Sequence, residues 1–182
     1  MSLSKKNRVS LERGYVHVYS GHGKGKTTAA IGLGMRAAGM GLQVIMIQFM
    51  KGRRYCEIDS LALVPNFEVA QHGRDDFVSK ERPDRVDIEL AQKGLEHAGK
   101  AIASGEYDVV ILDEINVAVD FGLLAVQEVV RLVAERPVHV EVVLTGRYAP
   151  AELIEMADLV TEMREIKHFY SKGVEARKGI EY

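Results

Sequence analysis

Residues 15–28 read YVHVYSGHGKGKTT and decide the fold of this 182-residue chain. Tyr15 to Tyr19 alternates in hydropathy and is rich in β-favouring residues, which predicts a strand. Three glycines between residues 21 and 25 let successive backbone N–H groups turn into one concavity, and a helix is predicted to begin near Lys26. A strand, a glycine-rich turn and a helix in this order are typical of a loop that binds phosphate.

This phosphate loop departs from the usual pattern G-x-x-x-x-G-K-[ST] by one position. Ser20 stands where the first glycine is expected, and Gly21 follows it. Lys26 is expected to contact phosphate oxygens, and the hydroxyl of Thr27 is expected to ligate Mg²⁺. The shortened loop indicates that the phosphates bind differently from those of a conventional NTPase.

A buried acidic strand end supplies the second half of the site. Val109 to Glu114 reads VVILDE, an apolar run that ends in two carboxylates. Magnesium in nucleotide sites is usually bound by one or two carboxylates together with phosphate oxygens. Asp113 is therefore predicted to serve Mg²⁺, directly or through water, with Glu114 beside it.

The remaining pattern alternates strands and helices. Further strands are predicted at Leu42–Phe49, Phe67–Gln71, Asp108–Asp113, Val138–Leu144 and Leu159–Met163, and helices at Val86–Ile102, from Val126 to near Pro137, and at Ala151–Met156. This order predicts an α/β fold, a single P-loop NTPase (RecA-like) domain with a mainly parallel sheet and helices on both faces. The domain covers 14–182 after a polar lead-in, 1–13. Gly32 and Gly34 in the first helix are expected to permit close packing against the sheet.

Composition excludes several classes of partner. The formal charge of −2 gives no basic surplus, so no nucleic-acid binding is expected. No apolar run approaches the roughly 20 residues that span a bilayer, so no membrane association is expected either. Met1 to Arg13 lacks the apolar core of a secretory signal, and the single cysteine, Cys56, fits a reducing compartment. We therefore expect a cytoplasmic protein.

Residue patterns alone predict an Mg–nucleotide-binding domain and leave its reaction open. The six histidines show no metal-ligand spacing, and no Ser/His/Asp or Cys/His arrangement can be assembled. Glu114 could activate water, which would make the chain a RecA-like Mg-dependent ATPase. A non-catalytic, ATP-binding regulatory module is a further alternative.

Several segments beyond these motifs resemble the P-loop family of ATP:cob(I)alamin (corrinoid) adenosyltransferases. They are SGHGKGKTTAA from Ser20, RAAG at 36–39, QFMKG at 48–52, DEINVAVDFGLL at 113–124, LTGRYAP at 144–150, ADLVTEM at 157–163, KHFY at 167–170 and the final KGIEY. The resemblance implies transfer of the 5′-deoxyadenosyl group of ATP to a reduced corrinoid, with tripolyphosphate released. Cobalt(I) is itself the nucleophile in that reaction, which explains the missing base.

The resemblance also implies roles for individual residues. ATP would be bound by Gly21, His22, Gly23, Lys24, Gly25, Lys26, Thr27, Thr28 and Arg36; Mg²⁺ by Thr27 and Asp113; Lys26, Glu114 and Arg147 would act in catalysis; and Phe77, Gln48 and Lys51 would contact the corrinoid. A homodimer is implied, as is an electron-donating reductase or flavoprotein partner. Where the family usually has tryptophan, two positions after the aromatic residue matched by Phe77, this chain has Ser79, so either an altered corrinoid preference or a weaker activity is expected.

Overall fold

Residues 9–182 build their fold on six parallel strands. The computed structural model describes residues 9–182, so 1–8 of the predicted lead-in lie outside the described residues. The strands are β1 (Val16–Ser20), β2 (Val44–Phe49), β3 (Phe67–His72), β4 (Val109–Asp113), β5 (Glu141–Thr145) and β6 (Leu159–Glu162). They lie in the order β3-β2-β4-β5-β1-β6, and every neighbouring pair is parallel. The predicted α/β class is confirmed.

Helices cover both faces of this sheet, as predicted. They are α1 (Lys26–Gly39), α2 (Cys56–Leu61), α3 (Arg85–Ser104), α4 (Ile115–Asp120), α5 (Val126–Ala134) and α6 (Ala151–Met156), followed by a short 3₁₀ helix at Phe169–Lys172. One hydrophobic cluster joins the sheet to α1 and α2, and the other joins it to α3, α4, α5 and α6. Alternate side chains of each central strand enter opposite clusters, so these strands are apolar on both faces.

The ends of α3 show why a helix forms there. The backbone N–H of Asp84 donates to Oδ2 of Asp87 at 3.3 Å, which satisfies a group at the helix start. The helix ends before Gly105, which has the left-handed φ of 66° that terminates many helices. The predicted amphipathic stripe, Val86–Ile102, is therefore confirmed and extends slightly at both ends.

The main boundary error concerns β5. A strand was expected from Val138, but β5 begins at Glu141. The backbone N–H of Val140 donates to the carbonyl of Pro137 at 3.0 Å, so these β-favouring residues form a turn instead. The six-residue helices α2 and α4 were not predicted.

The two glycines of α1 have different surroundings. A Cβ added to Gly34 would overlap the ring of Phe67, whereas one added to Gly32 would meet nothing within 4 Å. Close packing against the sheet is therefore confirmed for Gly34 and wrong for Gly32.

No described helix is both long enough and apolar enough to cross a bilayer.

Candidate active site

The phosphate loop connects β1 to α1 at the carboxyl edge of the sheet. Gly21 and Gly25 have positive φ values of 95° and 119°, which side chains other than glycine rarely adopt. The N–H of Gly23 donates to the carbonyl of Met163 at 2.6 Å, and a Cβ on Gly23 would lie 2.7 Å from that oxygen. The loop is thus packed against the chain that follows β6, and it has no space for a side chain at Gly21 or Gly23.

Lys26 is folded back onto this loop. Its Nζ donates to the carbonyls of Gly21 at 2.7 Å and Gly23 at 2.8 Å, and the residue is only 8% exposed. Burial lowers the pKa of Lys26, and the negative charge of Glu114 partly offsets this effect. The ammonium group of Lys26 is therefore held at the centre of the loop, where it can bind an anion.

Four donors surround the carboxylate of Asp113, which is fully buried at the end of β4. Oδ1 accepts from the hydroxyls of Thr27 at 2.8 Å and Thr145 at 2.7 Å. Oδ2 accepts from Nζ of Lys51 at 2.7 Å and from Nε2 of Gln48 at 3.2 Å. The structure thus brings together Thr27 and Asp113, the two residues predicted to serve Mg²⁺.

This donor set suits a magnesium ion that arrives with a nucleotide. Within residues 9–182, no group of three or more His, Cys, Asp or Glu side chains could hold a metal alone. Magnesium typically takes one or two protein oxygens and completes its shell with phosphates and water. The hydroxyl of Thr27 and the carboxylate of Asp113 are such oxygens, and they face the phosphate loop.

Among residues 9–182, three residues other than glycine have left-handed backbones, and all follow strand ends at this edge. Met50 after β2, Glu114 after β4 and Tyr148 after β5 have φ values of 58°, 61° and 58°. Such conformations cost free energy and cluster at functional sites. Their position on three adjacent strands marks this edge as the candidate active site.

Glu114 lies beside the site in a half-buried position. Burial raises the pKa of its carboxyl, and the charge of Asp113 raises it further, while Lys51, Lys26 and Arg147 act in the opposite direction. Glu114 thus lies among three cations, Lys26, Lys51 and Arg147, each of which was predicted to belong to the site.

A cavity of about 1060 Å³ opens in front of these residues. The predicted residues that line it are His22, Gly23, Lys24, Gly25, Lys26, Thr27, Thr28, Lys51, Glu114 and Arg147. Arg36 is exposed on α1, and the structure does not bring it to the cavity. Gln48 is 0% exposed next to Asp113 and does not line this cavity.

A smaller cavity of about 350 Å³ shares the lining residues Lys51, Tyr55 and Glu114 with the first. Phe77, predicted to contact the corrinoid, lines this cavity and is fully exposed. Ser79, two residues later, donates to a carboxylate oxygen of Glu81 at 3.3 Å. Phe77 and the predicted residues of the phosphate loop therefore line two adjoining cavities, and Lys51 lines both.

The terminal segment also reaches the larger cavity, which sequence reasoning did not specify. Residues 179–182 line it, and Oε1 of Glu181 lies 2.8 Å from Nζ of Lys24. Arg177 pairs with the same carboxylate at 3.2 Å. The hydrogen bonds from Arg177 and from Lys24 lower the pKa of Glu181 to about 2. The final KGIEY thus forms part of the wall beside the phosphate loop.

Two further residues of the site were not predicted individually from the sequence. Thr145 ends β5 next to Asp113, and Tyr148 packs edge-to-face with His22 at 5.2 Å between ring centroids. Both lie in the quoted segment LTGRYAP, so a signal was present, but the sequence does not show that these side chains reach the loop.

Comparison with known proteins gives a consistent result. Residues 12–182 match the family described as ATP:corrinoid adenosyltransferase BtuR/CobO/CobP. A corrinoid adenosyltransferase of Pseudomonas aeruginosa is 37% identical over 172 residues, which cover 94% of this chain and 85% of that protein. One of Escherichia coli (strain K12) is 37% identical over 174 residues, 94% of this chain and 87% of that protein. An uncharacterised protein of Nostoc sp. (strain PCC 7120) is 39% identical over 169 residues; these cover 85% of this chain but only 45% of that protein.

Proposed function

The chain belongs to the family of ATP:corrinoid adenosyltransferases, and we propose that it transfers the 5′-deoxyadenosyl group of ATP to the cobalt of a reduced corrinoid. The observation that carries this proposal is the extent of the family match. It includes both the phosphate loop and the terminal segment, and residues of both line one cavity. A generic nucleotide-binding domain would not require that terminal segment.

The reaction needs charge neutralisation rather than proton transfer. The electron pair of cobalt(I) forms a bond to C5′ of the ribose, while the C5′–O bond breaks and its electron pair leaves on the triphosphate. No proton is exchanged, so the protein must position C5′ and stabilise the departing tripolyphosphate. Lys24, Lys26, Lys51 and Arg147 all line the cavity and supply positive charge for this purpose.

Magnesium would be held by Thr27 and Asp113 together with the phosphates. Bound there, the ion would neutralise charge that develops on the leaving group. When ATP binds, Nζ of Lys26 would donate to phosphate oxygens instead of to the carbonyls of Gly21 and Gly23. It is placed for this because it already lies within the loop that would surround the phosphates. Glu114 would keep the surrounding cations in place near the ribose end of the nucleotide.

The corrinoid would enter through the smaller cavity. Phe77 offers an exposed aromatic ring there, and the side chain of Lys51 is common to both cavities. Because Ser79 replaces an expected aromatic residue, the corrinoid preference should differ from that of relatives with tryptophan. Equal and fast rates on cobalamin and cobinamide would contradict this altered preference.

We further propose that the chain acts in the cytoplasm as a homodimer and receives its reduced corrinoid from an electron-donating reductase or flavoprotein. The family resemblance supports the dimer, and so does the edge strand β6, where Leu159 and Val160 are 42% and 45% exposed. Light scattering coupled to size exclusion will test the dimer; a monomer at micromolar concentration would contradict it.

The transfer itself is tested by anaerobic incubation with Mg–ATP and chemically reduced cob(I)alamin. We expect the absorbance change of an adenosylcorrinoid that light destroys. Lys26→Ala removes a cation of the phosphate loop and serves as the comparison variant. Its transfer rate should be about 100-fold or more lower than that of the wild type. Tight Mg–ATP binding without any corrinoid product would contradict transfer and favour the regulatory module.

A further inference from the structure

The four donors to Asp113 fall into two groups by their position. Thr27 and Lys51 line the large cavity, whereas Gln48 and Thr145 are each 0% exposed. Each group supplies one donor to each carboxylate oxygen: Thr27 and Thr145 to Oδ1, Lys51 and Gln48 to Oδ2. The buried pair can therefore hold both oxygens in place even when the cavity-side pair has left.

We propose that Gln48 and Thr145 are positioning residues that fix the orientation of the Asp113 carboxylate for Mg²⁺–ATP. Thr27 and Lys51 are the exchangeable partners, which turn from Asp113 to the incoming ion and phosphates. This inference rests on the proposed function, because it assigns a task to Asp113 that only a metal–nucleotide complex requires.

The register of the sheet places Gln48 for this task. It lies between Gln71 of β3 and Asp113 of β4 as the direct partner of both. Paired residues on adjacent strands project to the same face, so the three side chains form one polar row. The alternation of the strands directs this row toward α1 and α2, the side on which Thr27 stands.

The carboxylate sets the direction of the hydrogen bonds along this row. An ionised carboxylate can only accept, so Gln48 must present its NH₂ group to Asp113. Its Oε1 then faces Gln71, whose Nε2 donates to it at 3.0 Å and also donates to the carbonyl of Arg53 at 3.0 Å. Gln71 thus prevents the Gln48 amide from rotating away from Asp113.

Thr145 acts from the other side. Its hydroxyl donates to Oδ1 of Asp113 and accepts from the backbone N–H of Glu114 at 3.0 Å. Glu114 is one of the residues with a left-handed backbone. One hydroxyl therefore holds both the metal carboxylate and the strained residue that follows it.

A direct contact of Gln48 with the corrinoid, the role that the family resemblance had implied, requires an accessible side chain. Gln48 has none, and its amide atoms are already occupied by Asp113, Gln71 and the carboxylate of Glu57 at 3.4 Å. The two roles make different kinetic predictions. A positioning residue changes metal affinity and kcat, while a corrinoid contact changes the KM for corrinoid.

The test uses Gln48→Met and Thr145→Val, which keep approximate size and shape but remove the donor to Asp113. Manganese binding in the presence of ATP is measured by electron paramagnetic resonance of free Mn²⁺. We expect each variant to bind Mn²⁺ about 10- to 100-fold more weakly, the usual effect of losing a residue that orients a metal ligand. We expect kcat to fall and the KM for corrinoid to stay within about twofold.

Two further variants guard against simple misfolding. Thr145→Ser keeps the hydroxyl and should restore Mn²⁺ affinity. Gln71→Met removes the donor that orients Gln48, together with the hydrogen bond to the carbonyl of Arg53, and should give a smaller loss of the same sign. Unchanged Mn²⁺ affinity in Gln48→Met and Thr145→Val, or a raised KM for corrinoid alone, would overturn the inference. Failure of the wild-type protein to bind Mn²⁺ with ATP would instead overturn the proposed function, and this inference with it.

Discussion

Nζ of Lys51 lies 2.7 Å from Oδ2 of Asp113, so the carboxylate assigned to magnesium has a lysine as its partner. The two side chains are 15% and 0% exposed. Burial acts to lower the pKa of Lys51, but the charges of Asp113 and Glu114 outweigh it, and the net pKa is raised. Lys51 therefore stays protonated well above neutral pH and compensates a carboxylate that would otherwise be buried without a cation.

The first prediction removes that lysine. Lys51→Met should lower the stability of the nucleotide-free protein by about 3 kcal/mol, because one buried charge is left without its partner. A loss of this size corresponds to a fall in Tm of roughly 6–12 °C. Free Mg²⁺ should recover part of this loss in the variant and have little effect on the wild type.

Lys24→Met is the matched control for this experiment. Lys24 also lines the cavity but is 42% exposed and pairs with Glu181 rather than Asp113. Exposed ion pairs contribute about 1 kcal/mol or less to folding stability, so the Tm of Lys24→Met should fall much less than that of Lys51→Met. Equal losses in both variants, or an equal response to Mg²⁺, would contradict the assigned role of Lys51.

The second prediction concerns Glu181. Its carboxylate holds Lys24, so a phosphate must displace it to use that lysine. Glu181→Gln should therefore bind inorganic tripolyphosphate more tightly in calorimetric titration, while Glu175→Gln on the same segment should not. Weaker binding in Glu181→Gln would show that the pair builds the site rather than competing with the ligand.

The contacts of Glu181 have a defined pH dependence. Hydrogen bonds from Arg177 and, to a smaller extent, from Lys24 lower the pKa of Glu181 from its ordinary 4.5 to about 2 in the folded protein. The stabilisation from these two contacts is therefore complete above about pH 4.5 and is lost as pH falls toward 2. The advantage of Glu181→Gln in tripolyphosphate binding should accordingly be constant from pH 6 to 8.

The third prediction uses the raised pKa of Glu114. The folded protein holds this proton more tightly than the unfolded chain, whose carboxyl titrates near its ordinary 4.5. Protonated Glu114 therefore contributes to the free energy of unfolding at low pH, and this contribution is lost as pH rises through the pKa of Glu114 in the folded protein. Glu114→Gln should therefore gain Tm relative to wild type as pH rises from 4 to 8. A difference in Tm that is flat over this range would contradict the direction of the shift.

The fourth prediction compares two glycines of one helix. Gly32→Ala meets open space and should stabilise the protein by about 0.5–1 kcal/mol, the usual gain of alanine over glycine in a helix. Gly34→Ala would overlap the Phe67 ring and should cost about 1–3 kcal/mol. Urea unfolding measures the change in the free energy of unfolding for both variants. If both variants were stabilised, or both destabilised, the packing described for α1 would be contradicted.

The sequence predicted the parts of this site that depend on local signals. The strand before the phosphate loop, the glycines that shape it and the apolar run that ends at Asp113 are each visible within a few residues. The helix at Ala151–Met156 was also predicted with the bounds observed. In contrast, Val138 and Val140 favour strands as strongly as the residues of β5, and only the turn to Pro137 excludes them.

The partners of Asp113 and Lys24 could not be predicted in the same way. Gln48 and Thr145 reach Asp113 from neighbouring strands, and strand order is not encoded by local periodicity. Glu181 reaches Lys24 across 157 residues of sequence. The family resemblance implied a corrinoid contact for Gln48 and named the terminal segment without a contact, whereas the strand order places Gln48 directly beside Asp113.

The central claim is that the triphosphate of ATP leaves intact when cobalt attacks C5′. It is tested most directly by ³¹P NMR of an anaerobic reaction that contains Mg–ATP and limiting cob(I)alamin. The account predicts one tripolyphosphate for each adenosylcorrinoid formed, and none when the reduced corrinoid is omitted. Formation of ADP and orthophosphate at a rate independent of the corrinoid would contradict it and identify the chain as an ATPase.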